Sequence, residues 1–335
     1  MTSPIWISTG SRVFDLFRFA CHGLVIMVWV GFLGAIFPLG DSLAVFRIEL
    51  TVLLAIFGAI AFVLGRSFIP PVAVITVLVS GLSLWPYAGG TPSVPAADIQ
   101  MQQHNLLYGN RETDSFLDHI RMTLPDVLTL QEFRDQNAAL IPEIVESHPN
   151  HHVCLYDTGG VGVFARRLGP VIASGCAENT RMAWLRIDTA AGPVTFVSVH
   201  LFWPFPRAQF WQVQLYEAEI AALPRPLVIG GDFNMVPWAA SVRRVADVAG
   251  GRIPRGMAAT YHHKGRWPAF RIDHVIVPED AAVDVTRIGK LGSDHNGLWA
   301  RIKLAPMTPP TQSMPTPRRH LLSRLNLSAK PAPVQ

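Results

Sequence analysis

The sequence predicts a layered α/β or α+β domain preceded by three apolar helices, each long enough to span a membrane. Three observations carry that expectation. Hydrophobic residues make up 50% of the 335 and charged residues only 16%, whereas soluble domains carry about 25% charge. Mean hydropathy is +0.28, and the apolar excess is concentrated between residues 19 and 87. From 98 to 304 the chain is mixed sequence in which short apolar runs alternate with a few helical patterns.

Spanning the hydrocarbon takes ~20 apolar residues as a helix, a form that satisfies its own backbone in lipid. Residues 19–39 do so without a formal charge. Residues 46–64 carry Arg47 and Glu49 at their leading edge. Residues 67–87 hold Pro70 and Pro71 in a first turn, which tolerates proline, and end on Trp85 and Tyr87 as interfacial anchors. Three such stretches in succession leave no polar face for a soluble bundle. The first is also long for a cleaved signal peptide, and two more follow it.

Orientation follows from the short loops. Arg12, Arg18 and Arg66 share one side; the other has Arg47, then no Lys or Arg until Arg111. The excess of positive charge places the N-terminus in the cytoplasm and, after three crossings, the globular region outside. The expected organisation is a cytoplasmic segment 1–18, a membrane anchor 19–88, a linker 89–97, a domain 98–304 and a disordered Pro-rich tail 305–335. Within the tail, RRHLLSRLNL (318–327) reads as solvated chain or as a short basic amphipathic helix touching a surface.

The net charge of +4 and pI of about 9.2 suit phosphates or an anionic membrane surface, or reflect arginines of loops and tail that meet no substrate. Cys21, Cys154 and Cys176 make neither a disulfide framework nor a zinc pattern. Cys21, in an apolar segment, is expected as a small lipid-facing or packing residue. Cys154 and Cys176 are expected as free core thiols, with pairing outside the cytoplasm as the alternative.

In the globular region, strands are expected at 98–104, 126–131, 152–156, 161–165, 182–188, 194–200, 226–231, 272–277 and 297–303, and helices at 112–122, 136–147 and 207–223. No internal repeat is present. The polar residues of interest sit at the ends of the apolar strands, where side chains meet in a shared crevice. DVLTLQEF (126–133) runs into Glu132, a hard oxygen ligand for Mg²⁺. LVIGGDFNMVP (227–237) passes through Gly230 and Gly231 into Asp232 and Asn234, suited to orienting a water and to donating to a phosphoryl oxygen. RIDHVIV (271–277) and GSDHNGL (292–298) each place an Asp–His pair beside a strand. His295 suits acid–base work with Asp273 orienting it, Asp294 suits a metal, and His274 is expected to pack. His200 ends the strand in VTFVSVH (194–200), and Asn105 follows the first strand as a metal-shell ligand or a hydrogen-bond partner of Asp232. Each is weak evidence alone, since a solvated Glu, an Asp/Asn turn or a packed His is the ordinary outcome.

Their order is informative. Asn105, QE at 131–132, HL at 200–201, GDFN at 231–234, RIDH at 271–274 and SDH at 293–295 resemble the endonuclease/exonuclease/phosphatase superfamily over residues 98–304. The resemblance implies a four-layer αββα sandwich and a Mg²⁺-dependent phosphoesterase, Mn²⁺ being an alternative ion. It implies Glu132, with Asn105 and Asp294 near it, as metal ligands, and Asp232 as the base. It implies Asn234 and His200 as phosphate binders, and His295 supported by Asp273 as the catalytic histidine. Two features depart from the pattern: His104 stands where an aromatic residue often precedes the first Asn, and the loop 202–206 (FWPFP) is unusually apolar. The expected function is hydrolysis of a lipid or lipid-linked phosphate by a membrane-anchored enzyme. A nuclease is the alternative, with 261–267 (YHHKGRW) as a loose basic–aromatic candidate surface. A catalytically inactive membrane scaffold is the third reading, opposed by intact residues at all the motif positions.

Overall fold

The computed structural model describes residues 9–63, 71–134, 137–156, 159–177, 180–262 and 268–306. Helices come first: α1 (Thr9–Val30), α2 (Pro38–Val45), α3 (Arg47–Val63) and α4 (Pro71–Leu84). Next are β1 (Ile99–Asn105), α5 (Thr113–Thr123), β2 (Val127–Phe133), α6 (Leu140–Ser147), β3 (Asn150–Cys154), β4 (Gly160–Ala165), β5 (Val171–Ala177), β6 (Met182–Thr189) and β7 (Gly192–His200). The chain continues through α7 (Gln209–Ala222), β8 (Leu227–Asp232), α8 (Ala240–Ala249), β9 (Gly251–Arg252), β10 (Tyr261–His262), β11 (Ala269–Phe270), β12 (Asp273–Pro278), β13 (Ala282–Arg287) and β14 (Leu298–Lys303).

Two six-stranded sheets form, ordered β13-β14-β1-β2-β4-β3 and β5-β6-β7-β8-β12-β9. Each contains one parallel pair, β1–β2 and β7–β8. Parallel neighbours need a crossover, which α5 and α7 supply. The inner faces meet in one apolar cluster that includes Met101, Val127 and Val163 from one sheet and Leu185, Phe196 and Val228 from the other. Outside, Phe116 and Ile120 of α5 and Ile144 of α6 pack on Leu128 and Leu130. Tyr216 and Ile220 of α7 and Val245 of α8 pack on Val199 and Ile229. Helix, sheet, sheet, helix is the αββα order expected. Gly230 lets the sheets close beneath the strand ends, because a Cβ there would lie 2.2 Å from Thr129 Oγ1 and 2.3 Å from Met101 Cε.

The expected strands and helices recur within a few residues, but β5, β13 and α8 were not anticipated. β5 (VIASGCA) is a largely exposed edge strand with Ala, Ser and Gly where strand-formers are usual. α8 has no cap of its own, since Ala239 stands at its N-cap without a side-chain bond. Its cap comes from 199 residues earlier: Asp41 Oδ1 accepts from Ala240 N at 2.8 Å, and Oδ2 from Ser241 N at 2.9 Å. A buried carboxylate there meets the orphan N–H groups and the positive end of the helix dipole.

The apolar helices are therefore built into the sandwich. Trp238 Nε1 donates to Ala44 O at 2.7 Å, Gly256 N donates to Tyr87 O at 2.9 Å, and Ala44 lies in the buried cluster of α7 and α8. A Cβ on Gly34 would collide with Asp41, so the turn before α2 needs glycine to seat that carboxylate. Helices and sandwich belong to one compact unit that ends at Ala305. The stretch 89–97, read as a linker, is strapped along β13 and β14: Thr91 Oγ1 donates to Asp284 Oδ1 at 3.0 Å and accepts from Val285 N at 2.9 Å, and Arg301 donates to Pro95 O at 2.7 Å.

No single described helix is long and apolar enough to cross a membrane. Pro38–Val45 and Arg47–Phe62 meet the length and composition together, bent by 67°, while Phe17–Val30 and Pro71–Tyr87 are shorter apolar helices. The expected first span, 19–39, is not one helix: α1 stops at Val30, a turn containing Gly31 and Gly34 follows, and Pro38 opens α2. The second and third expected spans correspond to α3 and to α4 with the turn after it. Apolar side chains of α1, of α4 and of the turn after α4 are open, with Phe19 79%, Leu82 72% and Trp85 73% exposed. Arg47, expected at the edge of a span, is buried, donating to Gly31 O at 2.8 Å with its guanidinium 4.0 Å above the Phe32 ring. The side chain of Arg12, residues 64–70 with Arg66 and Pro70, residues 263–267 and the tail from 307 lie outside the described residues.

Cys154 and Cys176 form a disulfide with a Cα–Cα distance of 5.7 Å, correcting the expectation of free thiols. They sit on β3 and β5, the edge strands of opposite sheets. Only the stacking of the sheets brings them together, so their spacing in sequence carried no sign of it. Cys21 is buried and free, the packing outcome of the two expected.

Removing the distant cap by Asp41→Ala is expected to lower stability by about 1–2 kcal/mol, read as a lower unfolding midpoint of the full-length protein in detergent. Reducing the disulfide, whose cysteines are 22 residues apart, is expected to cost about 3 kcal/mol. An unchanged midpoint under reductant would remove that staple from the account of stability.

Candidate active site

The two parallel pairs deliver their C-terminal ends to one edge of the sandwich. Asn105 ends β1, and Gln131 pairs with it just before Glu132. His200 ends β7 opposite Asp232, which ends β8, and Asp273 begins β12 opposite Asp232 from the other side. The loop before β14 brings Asp294 and His295. Crevices beyond the carboxyl ends of parallel strands are where open α/β sheets place their sites.

Glu132 is aimed by a bulge. Gln131 and Phe133 pair with adjacent residues of β4, leaving Glu132 as the extra residue at φ 65°, a left-handed conformation unusual for a side chain of this kind. Tyr108 N holds Oε2 at 3.0 Å. Asn105 Nδ2 donates to Glu132 Oε1 and to Asp232 Oδ2, each at 3.0 Å, so a single amide spans both carboxylates. Asn105 Oδ1 accepts from Leu107 N at 2.9 Å. Of the two expectations for Asn105, its present orientation fulfils the hydrogen bond to Asp232 and not ligation through its oxygen. His200 Nε2 lies 3.6 Å from Asp232 Oδ2 and 3.8 Å from Glu132 Oε1.

Facing them is the second pair. His295 Nδ1–H donates to Asp273 Oδ2 at 2.8 Å, leaving Nε2 3.8 Å from Asp232 Oδ2. Asp273 is itself held: Gln103 Nε2 donates to its Oδ1 at 3.1 Å and to Gln131 Oε1 at 2.8 Å, and Gln131 Nε2 donates to Ser198 Oγ at 3.0 Å. Thr260 Oγ1 accepts from Asp273 N at 3.1 Å. Ser293 Oγ donates to Asn105 O at 2.7 Å and accepts from His295 N at 3.0 Å, tying the last motif to the first.

Burial and charge set the protonation states. Asp232 is pushed up to about 8, first by burial, then by the charges of Asp273 and Glu132, with His295 opposing. Burial disfavours the His295 imidazolium, but Asp273, Asp232 and Asp294 outweigh it and hold it up at about 10. Burial also opposes ionisation of Asp273, yet His295 and the bonds from His295, Thr260 and Gln103 keep it below the usual carboxylate range. His200 is pushed down to about 3 by burial, Arg181 and His295, so it is neutral at pH 7.

The remaining expected residues fall as follows. Asn234 (φ 48°) donates Nδ2 to Leu201 O at 2.8 Å, and its N–H donates to Asp232 Oδ1 at 2.8 Å, so one amide hydrogen ties β7 to β8. Asp294 stands at the mouth, its side chain 40% exposed and 4.0 Å from His295 Nε2. His274 packs, as expected, and bonds Met235 O at 2.7 Å. Sequence reasoning missed Gln103, Thr260 and Arg181, and singled out Tyr261 only within the candidate surface 261–267. The run of four polar residues from Gln102 to Asn105 in β1, all buried in the structure, was the available signal for Gln103. Tyr261 lies with its ring 5.0 Å from that of His295. Arg181, over the Phe202 ring at 4.4 Å, feels the charges of Glu132 and Asp232. Arg181 carried no local signature.

Residues 99–295 match the Endonuclease/Exonuclease/phosphatase family. The chain belongs to this family. Members of the endonuclease/exonuclease/phosphatase family are metal-dependent phosphoester hydrolases, and the chain is an enzyme of that class. Solved structures share the fold. D. rerio TDP2 complexed with single strand DNA product is 16% identical at a TM-score of 0.52, covering 62% of this chain and 99% of that one. The endonuclease/exonuclease/phosphatase from Bacteroides vulgatus is 18% identical at 0.51, covering 63% and 100%. A family protein from Leptotrichia buccalis C-1013-b is 14% identical at 0.51, covering 62% and 100%. At these identities the likeness is one of fold. No curated protein matches the sequence.

The residues present fit the divalent cation that the endonuclease/exonuclease/phosphatase family uses. Glu132, His200 and Asp232 offer ligand atoms within 4.8 Å of one another, as do Asp232, Asp273 and His295; Asp294 is in neither group. Crowded buried carboxylates with a neutral histidine are a donor set whose charge a cation balances. Asp232 and His295 both hold protons more tightly in the folded chain than in the unfolded one. Their stabilisation is complete below the ordinary values of 3.8 and 6.5 and is lost as pH rises through about 8 and about 10. Below about pH 6.5 the depressed His200, His274 and His104 act in the opposite sense, so metal-free protein is expected to lose stability as pH rises from about 6.5 to about 10, and millimolar Mg²⁺ to flatten that decline. Unfolding midpoints across pH with and without chelator measure both effects.

Proposed function

We propose that this chain is a membrane-anchored, Mg²⁺-dependent phosphoesterase acting on a lipid or lipid-linked phosphate, its catalytic domain on the extracytoplasmic side. The observation that carries the chemistry is the single Asn105 amide spanning Glu132 and Asp232, opposite a His295 held by Asp273. Glu132, with Asp294 at the mouth, would hold the cation. When bound, it would neutralise charge on the phosphoryl oxygens and the leaving group. Asp232, raised by burial towards neutrality, orients the attacking water and accepts its proton. His295, kept charged by Asp273, faces the phosphoryl oxygens. His200 and the second amide hydrogen of Asn234 add donors at the same place. Water attacks phosphorus as the bond to the leaving oxygen breaks.

Anchoring is supported by the exposed apolar side chains of α1, α3 and α4. The Cys154–Cys176 disulfide supports an oxidising compartment, in line with the arginine asymmetry of the loops. The assay is full-length protein with Mg²⁺ or Mn²⁺, and a chelator control, on phospholipid, isoprenyl phosphate, DNA and RNA. Asp232→Ala and His295→Ala are each expected to lose about 10³-fold in kcat. Hydrolysis that survives chelation and Asp232→Ala would sink the mechanism. Cleavage of nucleic acid with lipids untouched would make the enzyme a nuclease. A reporter fused after Ser93 and active only in the cytoplasm would reverse the orientation.

A further inference from the structure

The apolar loop 202–206 lies between the catalytic histidine and the helical segment. Its polar tie to that segment is Ser42 Oγ of α2, which donates to Phe205 O at 3.1 Å. Beside it the Phe46 ring, between α2 and α3, meets Phe270 of β11 at 5.8 Å. On the catalytic side the Trp203 ring lies 5.8 Å from Tyr261, whose ring lies 5.0 Å from His295. Trp203 is 44% exposed and Phe205 52%. Among the described residues, aromatic rings thus stand at both ends of this approach, Phe46 and Phe270 beside α2 and Trp203 and Tyr261 beside His295. A polyanion is held chiefly by cations at its phosphates. Tryptophan and tyrosine instead favour the boundary between water and hydrocarbon.

Because Asp41 and Trp238 lock α2 to the sandwich, the loop keeps a constant height relative to the apolar helices. Resting on the lipid-phosphate reading above, we infer that Trp203, Phe205 and Tyr261 form an interfacial lip against which the hydrocarbon of a membrane-resident phosphoester lies. The substrate is an amphiphile of the same leaflet, and its phosphoester reaches Glu132, Asp232 and His295 without its chain leaving the bilayer. The occupant is hydrocarbon because the loop is tied to α2 through Ser42, and Ile36, Phe37 and Phe46 flanking that helix are exposed.

The test uses full-length protein in phosphatidylcholine vesicles containing dioleoyl phosphatidate or dioleoyl phosphatidylglycerol, with the dihexanoyl counterparts in solution. Wild type is expected to prefer the long chains. Trp203→Ala with Phe205→Ala is expected to lower the ratio of long-chain to short-chain kcat/KM about tenfold, mostly through KM. In brominated phosphatidylcholine vesicles, Trp203→Phe is expected to remove a quenched component of the tryptophan emission, a readout that does not depend on the double variant folding well. An unchanged ratio, or no quenched component at position 203, overturns the lip while leaving a lipid phosphoesterase. A wild type that hydrolyses neither chain length overturns the lipid reading and the lip together.

Discussion

Two carboxylates, the half-buried Glu132 and the buried Asp232, share one amide hydrogen-bond donor. Like charges held this close repel one another, and burial removes the solvent that would screen them. Most of the polar architecture around them answers that problem. Asn105 donates to both; His200 stays neutral; His295 stays charged because Asp273 stands behind it. Asp273 in turn relies on Gln103, whose amide also holds Gln131. The pair sits inside one connected network whose donor atoms fit a cation.

The network depends on how the sheets stack. Gln103 sits in one sheet and Asp273 in the other, and the stacking lets the amide of one bridge to the carboxylate of the other. Gly230 keeps the facing strands close enough for this. The bulge at Glu132 turns a side chain that strand alternation would send elsewhere towards the seam. Local strain at that residue is held by the β2–β4 pairing on either side of it.

The apolar helices belong to the same construction. The buried carboxylate of Asp41 in α2 caps α8, which starts eight residues after Asp232. α2 and the helix that follows β8 are thereby joined by two hydrogen bonds, which fix the helical segment against the sandwich.

Much of the site was legible in the sequence because its signals are local. Glu132, His200, Asp232 and Asp273 stand at the ends of apolar strands, Asn105 ends β1 and His295 lies in the loop before β14, and it is their order along the chain that resembles the family. The αββα order came with that resemblance; strand and helix patterns alone predict only a layered α/β or α+β domain. What the sequence withheld involves distance along the chain. Asp41 reaches α8 across 199 residues and Gln103 reaches Asp273 across 170. The cysteines of two edge strands meet only through stacking. The first apolar stretch read as one span because hydropathy averages over a window, whereas the break at Gly31 to Pro38 is made by a turn that seats Asp41. The sequence by itself determined which side chains stand at strand ends and so which chemistry is on offer. Tertiary structure alone decided which of them share protons and which helix docks on which, because contacts between sheets leave no mark on the residues nearby in the chain.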